Sequence, residues 1–367
     1  MDGTPWPQSA LAPDGPAARA ILEIGWVLTG LSGFVVLLVA AALLIAILRR
    51  HDYEATAAPL PVSPDLVRKI RGERESLEPT PGESLPLEAQ AGAGLGRRRE
   101  VRRDTLPDDQ RGVRWILAGG VAFPVVVLVP LFVLTMRSLA AVEARDVEPD
   151  LTIEVIGRQY WWEVHYLDDA GNRLFETANE IHIPVGRTVL VRLLSADVIH
   201  SFWVPRLAGK LDMIPGKMNQ LRIRADEPGE YRGQCAEYCG LQHAKMAFLV
   251  VAQPEEEFEA WAVRQALPAA APADSLAARG RDVFLRSGCA VCHAIRGTPA
   301  AVADLGPDLT HVASRRTLAA LAIPNNRGHL GGWIADPQAI KPGNLMPAVP
   351  LSAADLQALL HYLEGLR

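Results

Sequence analysis

The sequence predicts a membrane-anchored multidomain chain: a two-helix transmembrane hairpin, then a β-sandwich, then an all-α C-terminal domain. Three observations carry this. Two long apolar runs lie toward the N-terminal end, short alternating segments with Pro-Gly turns fill the middle, and helical patterns flank a Cys-x-x-Cys-His motif near the end. The expected parts are residues 1–150, 151–255, a linker at 256–274, and 275–367.

The apolar runs cover about 21–48 and 115–137. Each meets the roughly 20 residues a helix needs to cross a bilayer. The first is too long for a cleaved leader and lacks a basic start, since Asp2 and Asp14 precede it. It is therefore expected to be retained. Arg49 and Arg50 follow the first run, and Arg111 and Arg114 precede the second, with Arg97, Arg98, Arg99, Arg102 and Arg103 upstream. Basic residues stay on the cytoplasmic side. The intervening loop is thus expected there, with both termini and everything after Arg137 outside. The loop, residues 51–111, has the Pro, Glu, Arg and Gly content of a solvated linker, with one candidate short helix from Ser63.

Leu151-Thr-Ile-Glu-Val-Ile, Glu180-Ile-His-Ile-Pro, Thr188-Val-Leu-Val-Arg-Leu-Leu, Asn219-Gln-Leu-Arg-Ile-Arg and Ala247-Phe-Leu-Val-Val-Ala read as strands. Their short spacing suggests a sandwich. His165 and His182 fall on such strands without ligand spacing, as satisfied or surface histidines do. Glu255 to Gln265 reads as a short acidic helix, and Ala266 to Asp274 as an Ala/Pro-rich tether.

The most informative stretch is Cys235-Ala-Glu-Tyr-Cys239-Gly-Leu-Gln-His243-Ala-Lys-Met246, with His200 upstream in Asp197-Val-Ile-His200-Ser-Phe-Trp203. Thiolate and thioether sulfur beside imidazole is the mixture copper prefers, and two cysteines suggest two bridged ions. A tetrahedral zinc site and a disulfide stay open on spacing alone. Met246 favours copper, because structural zinc sites use Cys and His.

Cys289-Ala-Val-Cys292-His293 is the attachment signature of a c-type haem. Met346 follows in Lys341-Pro-Gly-Asn-Leu-Met346-Pro347 and is a candidate second axial ligand, and Met/His ligation suits electron transfer. His311 and His329 are its rivals, and His361 on the last helix is read as packing or surface. The chain has four cysteines, and the two motifs use all of them. A net charge of −5 does not suggest nucleic acid.

The copper-type loop, together with Asp197 to Pro205 and Ile214-Pro-Gly-Lys-Met-Asn219, resembles subunit II of the haem–copper cytochrome c oxidases. The C-terminal segment, with Leu305-Gly-Pro-Asp-Leu309, resembles class I cytochrome c domains. The resemblance implies a cupredoxin-like sandwich holding a binuclear copper A centre. Cys235 and Cys239 would bridge two coppers, His200 and His243 would each bind one, and Met246 and the Glu237 carbonyl would be weak outer ligands. The Glu237 side chain would join a magnesium site shared with subunit I, and Pro307 would back His293.

Gln159-Tyr160-Trp161-Trp162 matches the family's aromatic segment where electrons enter. Tyr160 and Trp161 are the candidates, although mitochondrial-type members carry Trp at the position of Tyr160. Gly112 stands where many members have a Glu near a proton path, leaving Asp108 or Asp109 as substitutes. The implied whole is the electron-relay subunit of a caa3-type oxidase in a bacterial cytoplasmic membrane. Oxygen would be reduced, with proton translocation, on another chain. Expected partners are subunit I, subunit III and an upstream cytochrome c or bc1-type donor. The alternatives are a subunit of a copper A nitric-oxide reductase, or a zinc-stabilised module fused to a carrier cytochrome.

Overall fold

The computed structural model describes residues 8–56, 110–143 and 148–367. The candidate helix at Ser63, the arginines at 97–103, and Asp108 and Asp109 lie outside the described residues. The chain divides into two compact units: residues 28–132, and residues up to Val27 together with those from Val133 onward.

Helix α1 (Pro16–Thr56) carries the first apolar run. The second begins in α2 (Gln110–Leu117), passes through a π-helical turn at Ala118–Ala122, and continues in α3 (Phe123–Glu143). Within Pro16–Leu48 and Gly112–Ala140 the most apolar 18-residue stretches have mean hydropathies of 3.0 and 2.6, and none of either stretch is buried in protein. Side chains such as Leu37 and Val126 are about 70% exposed, at 71% and 70%. Helices apolar on every face need lipid around them. Pro130 sits inside α3, which membrane helices tolerate. Both spans run several residues beyond the expected bounds.

The start of α1 belongs to the other unit and is tied to its β-domain. The Asp14 and Gly15 amides donate to the Arg206 carbonyl at 2.8 and 3.1 Å. Arg206 pairs with Asp14, and Arg19 with Asp226. A Cβ on Gly15 would lie 2.6 Å from the carbonyls of Leu207 and Arg224, so only glycine lets the chain run this close.

Ten strands form two five-stranded sheets. One has the order β3 (Arg173–Ala178), β2 (Trp161–Leu167), β1 (Leu151–Arg158), β5 (Val189–Ser195), β8 (Asn219–Ile223). The other has the order β4 (Glu180–Pro184), β10 (Ala247–Gln253), β9 (Gly229–Cys235), β6 (His200–Trp203), β7 (Leu211–Met213). The β1–β5 and β4–β10 pairs are parallel. Alternate residues turn inward, as the two-residue period requires. Ile153, Val155, Trp162 and Val164 thereby meet Ile181, Phe202 and Phe248, all fully buried. Phe202 stacks on Phe248 at 4.5 Å, and Trp162 meets Phe248 edge-on at 4.9 Å.

Helix α4 (Glu255–Ala266) is the acidic helix expected from Glu255 to Gln265, and it fills most of the segment 256–274 assigned to the linker. Its Trp261 stacks on His182 with centroids 4.0 Å apart and abuts Tyr166 and Phe175. The sequence shows the acidic first turn of this helix but not that its apolar face closes the end of the sandwich. Only residues 267–274 make an extended connection. His182 is a satisfied core histidine, as expected, with Nδ1 2.6 Å from Gln253 Oε1.

The last part packs α5 (Ser275–Arg286) across α9 (Ala353–Glu364), capped by the Asp274 and Ser352 side chains. Between them lie α6 (Cys289–Cys292), a two-residue β11–β12 ladder (Thr317–Leu318 and Ile323–Pro324), α7 (Arg327–Ala335) and α8 (Pro337–Ile340). Val283, Phe284, Leu359 and Leu363 form the core. Leu321 leaves it and is buried with Ala247, Leu249 and Val251 of β10.

Trp261→Ala should cost about 3–5 kcal/mol of β-domain stability, as truncating a buried Trp does. Chemical denaturation followed through the domain's remaining tryptophans measures this. A linker role for α4 predicts no change.

Candidate functional site

His200 opens β6, and Cys235 closes β9 beside it, since Phe202 pairs with Cys235 in the ladder. The loop after Cys235 returns as β10, and its base is closed by the Cys235 amide donating to the Met246 carbonyl at 2.9 Å. Cys235 Sγ lies 3.8 Å from His200 Nδ1, 3.8 Å from Cys239 Sγ and 3.2 Å from the Glu237 carbonyl. Cys239 Sγ lies 3.7 Å from His243 Nδ1 and 3.8 Å from Met246 Sδ. The sulfurs are far beyond the roughly 2.05 Å of a disulfide. His200, Cys235 and Cys239 bring their ligand atoms within 4.8 Å of one another, whereas His243 and Met246 join at the Cys239 end. The donor set is therefore elongated around two sulfurs, not gathered about one point.

In the sequence, Asp197, Gln159 and Tyr160 have no assigned part in holding this set, although Tyr160 is a candidate for electron entry. His200 Nε2 is 2.7 Å from Asp197 Oδ1, and Asp197 Oδ2 accepts the Gln159 amide at 2.6 Å. Gln159 Nε2 donates to the Cys239 carbonyl at 2.7 Å, and the Leu241 amide donates to the Tyr160 hydroxyl at 3.1 Å. One segment thus grips both ligand-bearing loops. Asp197 orients the imidazole so that Nδ1 faces the sulfurs, the usual task of a ligand's outer partner. A Cβ on Gly157 would sit 2.7 Å from His200 Cδ2, so that strand position must be glycine. The two thiols lie within hydrogen-bond reach of each other. Their mutual hydrogen bond favours the Cys235 thiolate against burial, with help from His200. The same bond, with burial, pushes Cys239 up.

The second site is a cavity of about 400 Å³ in the C-terminal part. Cys289, Cys292, His293 and Met346 all line it, whereas His311 and His329 do not. His311 Nε2 faces the Leu267 carbonyl at 3.0 Å, and His329 is taken up by the α7 cap at Asn326. His361 pairs with Asp274. The His293 Nδ1–H donates to the Pro307 carbonyl at 2.8 Å, and burial lowers its pKa, so a neutral ring keeps Nε2 for a metal. The cavity is mostly apolar. Yet Arg315 Nε and Thr317 Oγ1 at its wall are buried without partners. A large apolar ligand bearing carboxylates fits this combination. Arg315 was not anticipated, since one arginine in an Arg-Arg pair carries no visible signal.

Gln159, Tyr160 and Trp161 line the same cavity from the β-domain side, so Tyr160 touches both sites. Lys341 lines it as well and is 2% exposed. Burial pushes its pKa down to about 7, with Cys239 opposing and Lys245 adding to the shift.

Glu163, His165 and Glu176 also gather within metal-ligand reach. Arg158 and Arg173 pair with these same carboxylates, and Glu154 flanks the ring, so the cluster balances its own charge.

The family model described as cytochrome c oxidase subunit II, periplasmic domain, matches residues 160–253, and the cytochrome c model matches residues 277–367. A cytochrome c oxidase subunit 2 of Alkalihalophilus pseudofirmus is 37% identical over 276 residues, covering 74% of this chain and 78% of that protein. One of Bacillus subtilis is 30% identical over 289 residues, covering 74% and 80%. Among solved structures, the periplasmic domain of subunit II of cytochrome oxidase from Bradyrhizobium japonicum is 32% identical. It covers 32% of this chain and 95% of that one, with a TM-score of 0.31.

Burial opposes the charge on His165, but its hydrogen bonds and attraction to Glu163 and Glu176 prevail and raise its pKa from 6.5 to about 9. Its contribution to stability is therefore full below pH 6.5 and fades as the pH rises through about 9. His165→Gln should cost about 2 kcal/mol at pH 6 and much less at pH 10. Denaturation at the two pH values measures the difference; an equal loss at both would contradict this network.

Proposed function

The chain belongs to the cytochrome c oxidase subunit II family, and from that premise we propose that it relays electrons from a covalent c haem, through a binuclear copper centre, to subunit I for oxygen reduction coupled to proton translocation. Membership makes it a component of a haem–copper oxidase partnered with subunit I, built from two apolar helices, a cupredoxin-like β domain and a cytochrome c domain. These domains imply copper A and haem c. Each group, when bound, carries one electron at a time.

The observation that carries the ligand reading is the row of donors around two sulfurs. His200 meets Cys235, and His243 meets Cys239. A single tetrahedral zinc would need all four donors about one point. Cys235 and Cys239 would bridge the pair, His200 and His243 would cap its ends, and Met246 and the Glu237 carbonyl would be outer ligands. The Glu237 carboxylate is a separate group, 43% exposed and 3.8 Å from Lys210, and it would join a magnesium site shared with subunit I in exchange for that ion pair. In the haem cavity, Cys289 and Cys292 would attach the ring, His293 and Met346 would hold the iron, and Arg315 would meet a propionate. Tyr160 and Trp161, between the two sites, are where electrons would reach the copper domain.

Both domains would lie on the outer side of a bacterial cytoplasmic membrane, as would both termini. The arginines at 49, 50, 111 and 114 support this orientation. A cytochrome c or bc1-type donor would supply the haem, and subunit III would complete the complex.

A paired experiment tests the assignment on the matured chain. Cys235→Ser should abolish the binuclear copper signal and leave the c haem reducible. Met346→Ala should keep the copper and lower the haem potential, because the thioether raises it. Unaltered copper in the first variant, or an unaltered potential in the second, would refute the corresponding ligand.

A further inference from the structure

The Met346 loop of the cytochrome domain and the copper loop are joined directly. Gln242 Nε2 donates to the Pro342 carbonyl, and Lys245 Nζ donates to the Ile340 carbonyl at 2.9 Å. These residues bracket His243. Gly343 sits at φ +82°, in the left-handed region that favours glycine, with the Leu241 side chain against it. Between these contacts Lys341 Nζ reaches two backbone carbonyls, Tyr160 at 2.7 Å and Ala319 at 3.1 Å. One acceptor belongs to each domain.

We propose that Ile340–Gly343 is a latch that seats the chain's own haem domain on the copper loop in one orientation, with Lys341 as its positioning residue. This rests on the functional reading above and adds to it the contact through which the two domains find their register.

A buried amine tolerates its site only while its N–H donors are used. No carboxylate pairs with Lys341 among the described residues, so its stabilisation comes from the two carbonyls. A slide or rotation of the haem domain would remove the Tyr160 carbonyl and leave the amine buried and short of a partner. Apolar contact alone would tolerate such a slide. A buried polar group therefore selects among otherwise similar seatings.

A second observation agrees. Ala319, Ala320 and Leu321 hold φ of 54°, 57° and 65°, three consecutive non-glycine residues in the left-handed region. Such strain persists where surrounding contacts over-determine it. Docking supplies two of those contacts: the Ala247 amide donates to the Ala320 carbonyl at 3.4 Å, and Leu321 is buried against β10, while Lys341 of the same domain holds the Ala319 carbonyl.

The test is hydrogen exchange on the full-length chain, matured with haem and copper, comparing Lys341→Met and Lys245→Ala with the unsubstituted protein. In Lys341→Met, segments 241–245 and 340–343 should exchange together, roughly tenfold faster or more. Electron transfer from flash-reduced haem to copper should slow with it, while the haem band and copper signal persist. Lys245→Ala, an exposed change that removes only the Ile340 bond, should move both segments in the same direction by less. Protection unchanged in both segments overturns the latch. If Lys341→Met loses its haem band, Lys245→Ala alone decides by the same criterion. An unsubstituted chain lacking the copper signal speaks against the functional reading, and the exchange comparison, which needs no signal, still decides the latch.

Discussion

The pairing of β6 with β9 is the constraint on which the rest of the structure depends. It brings His200 and Cys235 together from distant parts of the chain, and the return into β10 then fixes where Cys239, His243 and Met246 fall. The ladder needs an inner face packed by Trp162, Phe202 and Phe248, which ties the ligands to the most buried part of the sandwich. A ligand set mounted on ladder ends has little freedom to reorganise. That suits a centre whose charge changes by one electron while its geometry should not.

The same scaffold reaches outward in two directions. On one side the chain before α1 is bound to the β-domain through Asp14, Gly15 and Arg19, so the first membrane helix starts from a fixed point on it. On the other, the end of β1 and the residues after it contact both candidate sites. Gln159 holds the copper loop, Tyr160 touches that loop and the haem cavity, and Trp161 lines the cavity beneath Arg158. Tethering raises the local concentration of the haem domain. Specific polar contacts then choose how it sits.

Much of this was legible in the sequence where chemistry is encoded by residue type at short spacing. The copper-type loop, the Cys-x-x-Cys-His motif, Met346 and the two apolar runs are local signals. Alternation revealed the strands of the sandwich. What stayed hidden depends on residues distant in the chain. Asp197 looks like any loop aspartate until His200 and Gln159 close around it. Gly157 has no visible motive before His200 is placed against it. Trp261 reads as one apolar residue in an acidic helix, and its role appears only when His182 stacks on it. Lys341 reads as a surface lysine in a Pro-Gly turn, and only the docked domains bury it.

The central claim is that one chain holds a binuclear copper centre beside a c haem. Metal analysis combined with electron paramagnetic resonance on the full-length matured chain tests it most directly. The account predicts two coppers sharing a single unpaired electron, together with one covalently bound haem. Zinc, or one isolated copper, in the Cys235–Met246 loop would contradict it and leave a membrane-anchored cytochrome c.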